Sequence, residues 1–226
     1  LVWSDLSCGD REATAVLVAI NSVFQVAMFG VLGWFYLQIL PGWLGLDTTS
    51  VEFSFWSIVT SVLVFLGIPL LLGIISRVWA EKTKGREWFE NRYLPAVSPL
   101  AMIGLLYTIV LLFSLQGEQL VEQPIAVVRV AVPLMLYFVG MFFLALGVSK
   151  AVGMNYAQSA SVAFTAAGNN FELAIAVSIG TFGATSAQAL AGTIGPLVEI
   201  PVLVGLVYVM LWIGPKLFPG DQSLPS

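Results

Sequence analysis

The chain contains no histidine and only one cysteine, Cys8. Without imidazole, the metal sites and catalytic triads that use it are excluded. With one thiol there is neither a disulfide nor an intrachain multi-thiol metal site, so no resident metal or cofactor is expected. Charge is scarce too: charged residues make up 10% of 226, against about a quarter in soluble domains. No glycine-rich phosphate loop precedes a lysine, so ATP hydrolysis by this chain is not expected. A separate ATPase partner is compatible with the chain but not required. A net charge of −4 with dispersed cations gives nothing that favours nucleic acid. Short alternating segments, the mark of membrane barrel strands, are missing as well.

Apolar residues are what the chain has in excess, at 58% hydrophobic with a mean hydropathy of +0.94. Crossing the hydrocarbon core of a bilayer takes about 20 apolar residues in a helix. Six segments suffice: 13–40, 53–76, 95–116, 124–149, 156–180 and 186–214. Helices satisfy their own backbone groups in lipid, so the expected class is an all-α polytopic membrane protein with the lipid bilayer as its surroundings.

The cations set an expected orientation. Arg77, Lys82, Lys84, Arg86 and Arg92 lie between the second and third segments, whereas 41–52, 116–123 and 181–185 have none. By the positive-inside rule 77–94 is cytoplasmic. Threading outward puts Arg11, Lys150, Lys216 and the carboxy terminus on that side of a cell (inner or plasma) membrane. Asp47, Glu52, Glu118 and Glu122 fall outside. Aromatics and charges alternate in Glu87-Trp88-Phe89-Glu90-Asn91-Arg92-Tyr93, which suits a short interfacial segment.

Within the spans the informative residue is Glu172, in the run Gly168-Asn169-Asn170-Phe171-Glu172-Leu173-Ala174-Ile175-Ala176. An ionisable side chain at bilayer depth costs about 2.5 kcal/mol or more, so it is expected to face protein or a water-filled cavity. Gly168, Asn169 and Asn170 are poor helix formers, and the span is expected to be interrupted there. A carboxylate beside a helix break suits a transport site, where protonation alternates with substrate occupancy. The bland alternative is a permanently neutral carboxyl that hydrogen-bonds between helices. Asn169 and Asn170 offer donors and acceptors to a ligand, or else re-satisfy backbone freed by the break.

Secondary candidates follow. Glu199 stands between Pro196 and Pro201, each of which removes a helical donor, so Glu199 lines the site, caps freed groups or pairs with Arg129. Arg129 is five residues past Pro124, about 8 Å along a helix. It either snorkels to the outer surface or pairs with Glu172 or Glu199. Cys8 reads as an ordinary free thiol, with a relay for a thiophilic substrate as the alternative.

Comparing the chain with itself at the offset that puts Ser4 on Ser178 also aligns Gly9 with Gly183, Ala13 with Ala187, Ala15 with Ala189 and Ile20 with Ile194. Asn21 then meets Gly195, and Gln25 meets Glu199. By the charge reading the two stretches run in opposite senses, as in inverted-repeat transporters with a site near the midplane. Asn21 and Gln25 thereby become secondary site candidates. The run Leu1-Val2-Trp3-Ser4 reads as the tail of a span, so an amino-terminally truncated chain is expected.

The runs Val2-Trp3-Ser4-Asp5-Leu6, Gly168 to Ala176, and Gly195-Pro196-Leu197-Val198-Glu199-Ile200-Pro201-Val202 resemble the Acr-type arsenite efflux permeases of the bile acid/sodium symporter superfamily. The resemblance implies ten spans in two inverted five-helix repeats with broken, crossing fourth and ninth helices. This chain would hold the second five-helix repeat plus the last one and a half helices of the first. Residues 1–52 would end the first repeat, 53–116 form a two-helix panel segment, and 117–226 a three-helix core segment with its broken helix at 156–180. The implied function is expulsion of trivalent arsenic as arsenite, with antimonite as a further candidate substrate, in exchange for protons. Glu172 matches the family's transport glutamate, and the family's cysteine would lie before Leu1, so Cys8 does not replace it. A sister carrier importing an organic anion with sodium is the alternative, with Asn169, Asn170, Glu172 and Gln188 as ion ligands. An intramembrane enzyme or a non-transporting subunit is a third class. The chain is not expected to be an enzyme, because the charged groups in its spans are only Glu172, Glu199 and Arg129.

Overall fold

The computed structural model describes residues 2–45, 55–184 and 186–224, and those residues are helical with no strand among them. The expectations placed on Asp47, Glu52 and the boundary at 52/53 lie outside the described residues. The helices are α1 (Val2–Leu6), α2 (Arg11–Trp34), α3 (Leu40–Trp43), α4 (Phe55–Val62), α5 (Ile68–Lys84), α6 (Arg86–Trp88), α7 (Leu94–Glu122), α8 (Pro124–Ala151), α9 (Tyr156–Ala167), α10 (Phe171–Phe182) and α11 (Ala187–Leu217). Arg11–Trp34, Ile58–Lys84, Pro124–Ala151, Tyr156–Phe182 and Ala187–Leu217 are each long and apolar enough to cross a membrane. The remaining expected span falls on α7, a helix of 29 residues. The chain is an all-α polytopic membrane protein.

Three π-helical turns interrupt otherwise continuous helix, at Phe35–Ile39, Leu63–Gly67 and Phe89–Tyr93. Each is followed two residues later by a proline: Pro41, Pro69 and Pro95. A proline lacks the N–H for the α-helical bond and its ring strikes the carbonyl four residues back. Widening the preceding turn by one residue relieves both effects without ending the helix. The segment from Glu87 to Tyr93 is therefore helical and runs through a π turn into α7.

Contacts divide the chain into two units. The first comprises Leu1–Gln25, Gln123–Glu172 and Ala191–Ser226. Its core joins Phe142 and Leu146 of α8, Ala160, Ala163, Phe164 and Ala167 of α9, and Leu203, Leu206, Val207 and Met210 of α11. The alanines along α9 let neighbouring helices approach closely, which is how packing gains are made in lipid. Tyr156 opens α9 fully buried, its hydroxyl donating to the Ser7 carbonyl at 2.9 Å.

The start of α9 is capped twice. Asn155 and Gln158 form a reciprocal capping box, in which the Gln158 N–H donates to Asn155 Oδ1 at 2.8 Å. The carboxy-terminal turn supplies the second cap: the Tyr156 N–H donates to Asp221 Oδ2 at 2.7 Å and the Ala157 N–H to Ser223 Oγ at 3.2 Å. Hydrogen bonds from the Ser223 hydroxyl and N–H, and from the Tyr156 N–H, hold the Asp221 carboxyl below its ordinary range. Near the amino terminus the Ser4, Thr14 and Ser161 hydroxyls lie 2.8–3.1 Å from one another. Thr14 and Ser161 each come within hydrogen-bonding distance of the Asp10 carbonyl. This buried cluster ties the α1–α2 turn to α9.

In the second unit, Val26–Glu122 with Leu173–Leu190, Ile58 and Val62 of α4 pack on Leu173 and Val177 of α10. Gly180 leaves room for the Phe65 ring and the Ser61 hydroxyl. The turn between α5 and α6 passes through Gly85 at φ +86, left-handed backbone that glycine adopts without strain. Around it Arg77 pairs with Glu81 at 2.9 Å, Arg86 with Glu90 at 2.7 Å, and Lys84 sits 4.3 Å over the Trp88 ring.

Candidate functional site

The helix that begins at Tyr156 ends at Ala167. Gly168 turns to extended backbone at ψ 149, its N–H making the last helical bond to Phe164 at 2.9 Å, and α10 starts at Phe171. Gly168, Asn169 and Asn170 thus form the connection between two half-helices. Backbone released in this way cannot stay unpaired in lipid, and the surrounding helices reach it.

From α11, Glu199 Oε1 accepts the Asn169 N–H at 3.4 Å. From α2, Gln25 Oε1 accepts a hydrogen from Asn170 Nδ2 at 3.2 Å. From α8, the Tyr137 hydroxyl lies 3.5 Å from both Asn169 Oδ1 and the Ala166 carbonyl. Gly168 makes the approach of Glu199 feasible: a Cβ there would stand 3.5 Å from Glu199 Oε1 and 3.2 Å from the Phe164 carbonyl. Beneath the break the Phe171 ring fills the space beside Gly195 and meets Phe138 edge to face, with centroids 6.1 Å apart.

Glu172 occupies the first turn of α10, where the positive end of the helix favours an anion. It is near enough to Glu199 for their charges to interact. The burial expected of Glu172 is not seen within this chain: its side chain is exposed, and Glu199 is the more enclosed of the two. The physical reason is register, since the neighbours Phe171 and Leu173 take the buried positions. Glu199 does not stand at an opened turn either, because α11 runs unbroken past Pro196 and Pro201.

Arg129 is exposed and joins neither carboxylate; the ion pairs among the described residues are Arg11–Asp5, Arg77–Glu81 and Arg86–Glu90. The alternative that paired it with Glu172 or Glu199 is not realised. Asn21, one turn before Gln25 on α2, is exposed and takes no part in the hydrogen bonds around the break. Cys8 lies exposed in the α1–α2 turn at φ +58. Among the described residues no three histidine, cysteine, aspartate or glutamate side chains come together.

Sequence reasoning missed Tyr137. A tyrosine deep in a span is itself a signal, since its hydroxyl needs a polar partner there, but nothing in the sequence said which one. The assembled group contains two carboxylates, three carboxamides and a phenol. Its amides and hydroxyl can donate and accept hydrogen bonds, and its carboxyl groups can accept them.

A broken span with carboxylates at the break is an arrangement in which secondary transporters place their substrate and ion sites. The family model "Sodium Bile acid symporter family" matches residues 1–123, and the chain belongs to that family. It is 80% identical over 226 residues, all of this chain and 61% of the relative, to the arsenical-resistance protein Acr3 of Corynebacterium glutamicum. It is 36% identical over 208 residues, 92% of this chain and 56% of the relative, to the Acr3 of Alkaliphilus metalliredigens. An uncharacterized transporter of Synechocystis is 37% identical over 209 residues, 92% of this chain and 52% of the relative. The chain thus spans between about half and three-fifths of the length of these relatives. No solved structure matches.

Proposed function

We propose that the protein is a secondary transporter that expels trivalent arsenic, as arsenite and also antimonite, from the cytoplasm in exchange for protons, with its carboxy terminus cytoplasmic. The observation that carries this reading is the hydrogen-bonded break at Gly168–Asn170, flanked by Glu172 and Glu199, in a chain 80% identical to an arsenical-resistance protein. Arsenous acid is neutral at physiological pH and presents hydroxyl groups. Asn169 and Asn170 contact them, and Glu172, exposed at the positive end of α10, takes up a proton as the solute departs outside and releases it to the cytoplasm before the next solute binds.

The family match favours a second reading, a sodium-coupled carrier of an organic anion. The two are separated in everted membrane vesicles of cells producing the intact protein. Arsenite accumulation driven by an imposed proton gradient without sodium supports the first reading, with Glu172→Gln abolishing it while membrane insertion stays normal. Strict sodium dependence, or transport unaffected by Glu172→Gln, overturns it.

A further inference from the structure

The Asn170 carboxamide has a donor end and an acceptor end of nearly equal size but opposite polarity. Something must decide which end the site presents. Its nitrogen donates to Gln25 Oε1, 3.2 Å away on α2. The partner of the preceding residue is Glu199 Oε1 on α11. Consecutive residues of the break are therefore gripped by two side chains of equal length. Those side chains are the pair brought together when Ser4 is laid on Ser178. One grip takes a backbone N–H and the other a side-chain amide. One acceptor can change its protonation and the other cannot. The clamp has a titrating arm and a fixed arm.

We propose that Gln25 is a positioning residue of the transport site: it accepts from Asn170 Nδ2 and so fixes the orientation in which that carboxamide meets the substrate. This inference rests on the reading of the break as the substrate site. Gln25 acts as an acceptor and through Asn170, so its contribution depends on an oxygen at that position and on the presence of Asn170. Shape alone does not replace it.

The test is arsenite transport by the intact protein in everted vesicles, measured as half-saturation and maximal rate. The variants are Gln25→Met, Gln25→Glu, Asn170→Ala and the Gln25→Met/Asn170→Ala double, each checked for insertion and monodispersity in detergent. Loss of one neutral hydrogen bond raises the half-saturation concentration about five- to tenfold in Gln25→Met, with the maximal rate within about twofold. Gln25→Glu retains an acceptor oxygen and raises the half-saturation concentration less than Gln25→Met does. The double variant is no worse than Asn170→Ala.

Wild-type kinetics in Gln25→Met, or effects of Gln25→Met and Asn170→Ala that multiply, overturn the proposal and leave the site standing. Wild-type transport by Asn170→Ala overturns the site reading itself, and the proposal with it. If Gln25→Met fails to insert, the reciprocal pair decides. Gln25→Asn alone weakens transport, and Gln25→Asn/Asn170→Gln, which conserves both amides and the summed side-chain length, restores it. Failure of the exchange to restore transport overturns the proposal.

Discussion

Gly195 of α11 is the position where one added methyl group reports most directly on the break. A Cβ there would overlap the Cγ, Cδ1 and Cε1 atoms of the Phe171 ring. That ring has little room to swing, since it is buried and lies edge to face against Phe138, itself fully buried. Phe171 also begins α10 and precedes Glu172, so a displaced ring drags the carboxylate and the end of the break with it. Overpacking of this kind costs about 1–3 kcal/mol, which for a domain of this size is a fall of about 2–12 °C in melting temperature. Gly205, ten residues later on the same helix, has nothing within 4 Å of its would-be Cβ. There alanine gains helix propensity worth at most about 1 kcal/mol. The expected result by fluorescence-detected thermal melting is destabilisation and reduced transport in Gly195→Ala, and neither in Gly205→Ala. Phe171→Leu, by removing part of the ring, recovers stability in the Gly195→Ala background. Gly195→Ala melting with the wild type, or Gly205→Ala falling equally, would refute the packing argument.

Other expectations follow from the hydrogen bonds at the ends of α9. The Asp221 carboxyl is held below its ordinary range mainly by Ser223. Its stabilising effect is therefore present above the ordinary aspartate value of about 3.9 and lost as pH falls through the depressed folded value. Asp221→Asn abolishes that acid-side loss, which melting curves across the acid range detect. Ser161→Ala removes the hydroxyl that contacts Ser4, Thr14 and Asp10, a loss of about 1–3 kcal/mol visible in the same assay. Tyr156→Phe leaves the ring packing on Gly214 and Phe218 intact but deprives the Ser7 carbonyl of its donor. It costs about 1 kcal/mol and increases amide exchange in the α1–α2 turn.

The class of fold was legible because lipid leaves few choices. Long apolar runs without charge must be helices, and Gly168-Asn169-Asn170 inside one of them must weaken it. What surrounds the break was not legible in the same way. Glu172 announces itself by its cost, yet its exposure depends on which face of α10 it takes. Glu199 advertised a proline-opened turn, whereas the long helix α11 absorbs both prolines. Arg129 had two carboxylates to choose from and takes neither. Tyr137 and the cluster of Ser4, Thr14 and Ser161 left no sequence signal beyond hydroxyl groups, which occur throughout such spans. Their partners lie on helices distant in sequence, and only packing brings them together. The π turns were hidden for a different reason. Pro41, Pro69 and Pro95 were visible, but the relief of a proline by the turn preceding it is a backbone response that residue identity does not specify.

The hydrogen bonds at the break also restrict what can bind there. Asn169 presents a backbone N–H and Asn170 an amide nitrogen, and both are donors engaged by oxygens of Glu199 and Gln25. A solute that enters by displacing either oxygen must itself accept a hydrogen bond, or it leaves a donor unpaired in a low-dielectric site at a cost of about 1–3 kcal/mol. A bare sodium ion accepts nothing. It would use the lone pairs that Glu199 and Gln25 keep beyond these two bonds, leaving both donors engaged. A hydroxylated neutral acid accepts and donates with the same group, so it can take over the N–H of Asn169 while giving its own proton to the released carboxylate. The two kinds of solute would therefore enter differently: a cation would add to the oxygens, whereas a hydroxylated acid would replace one of them at its donor.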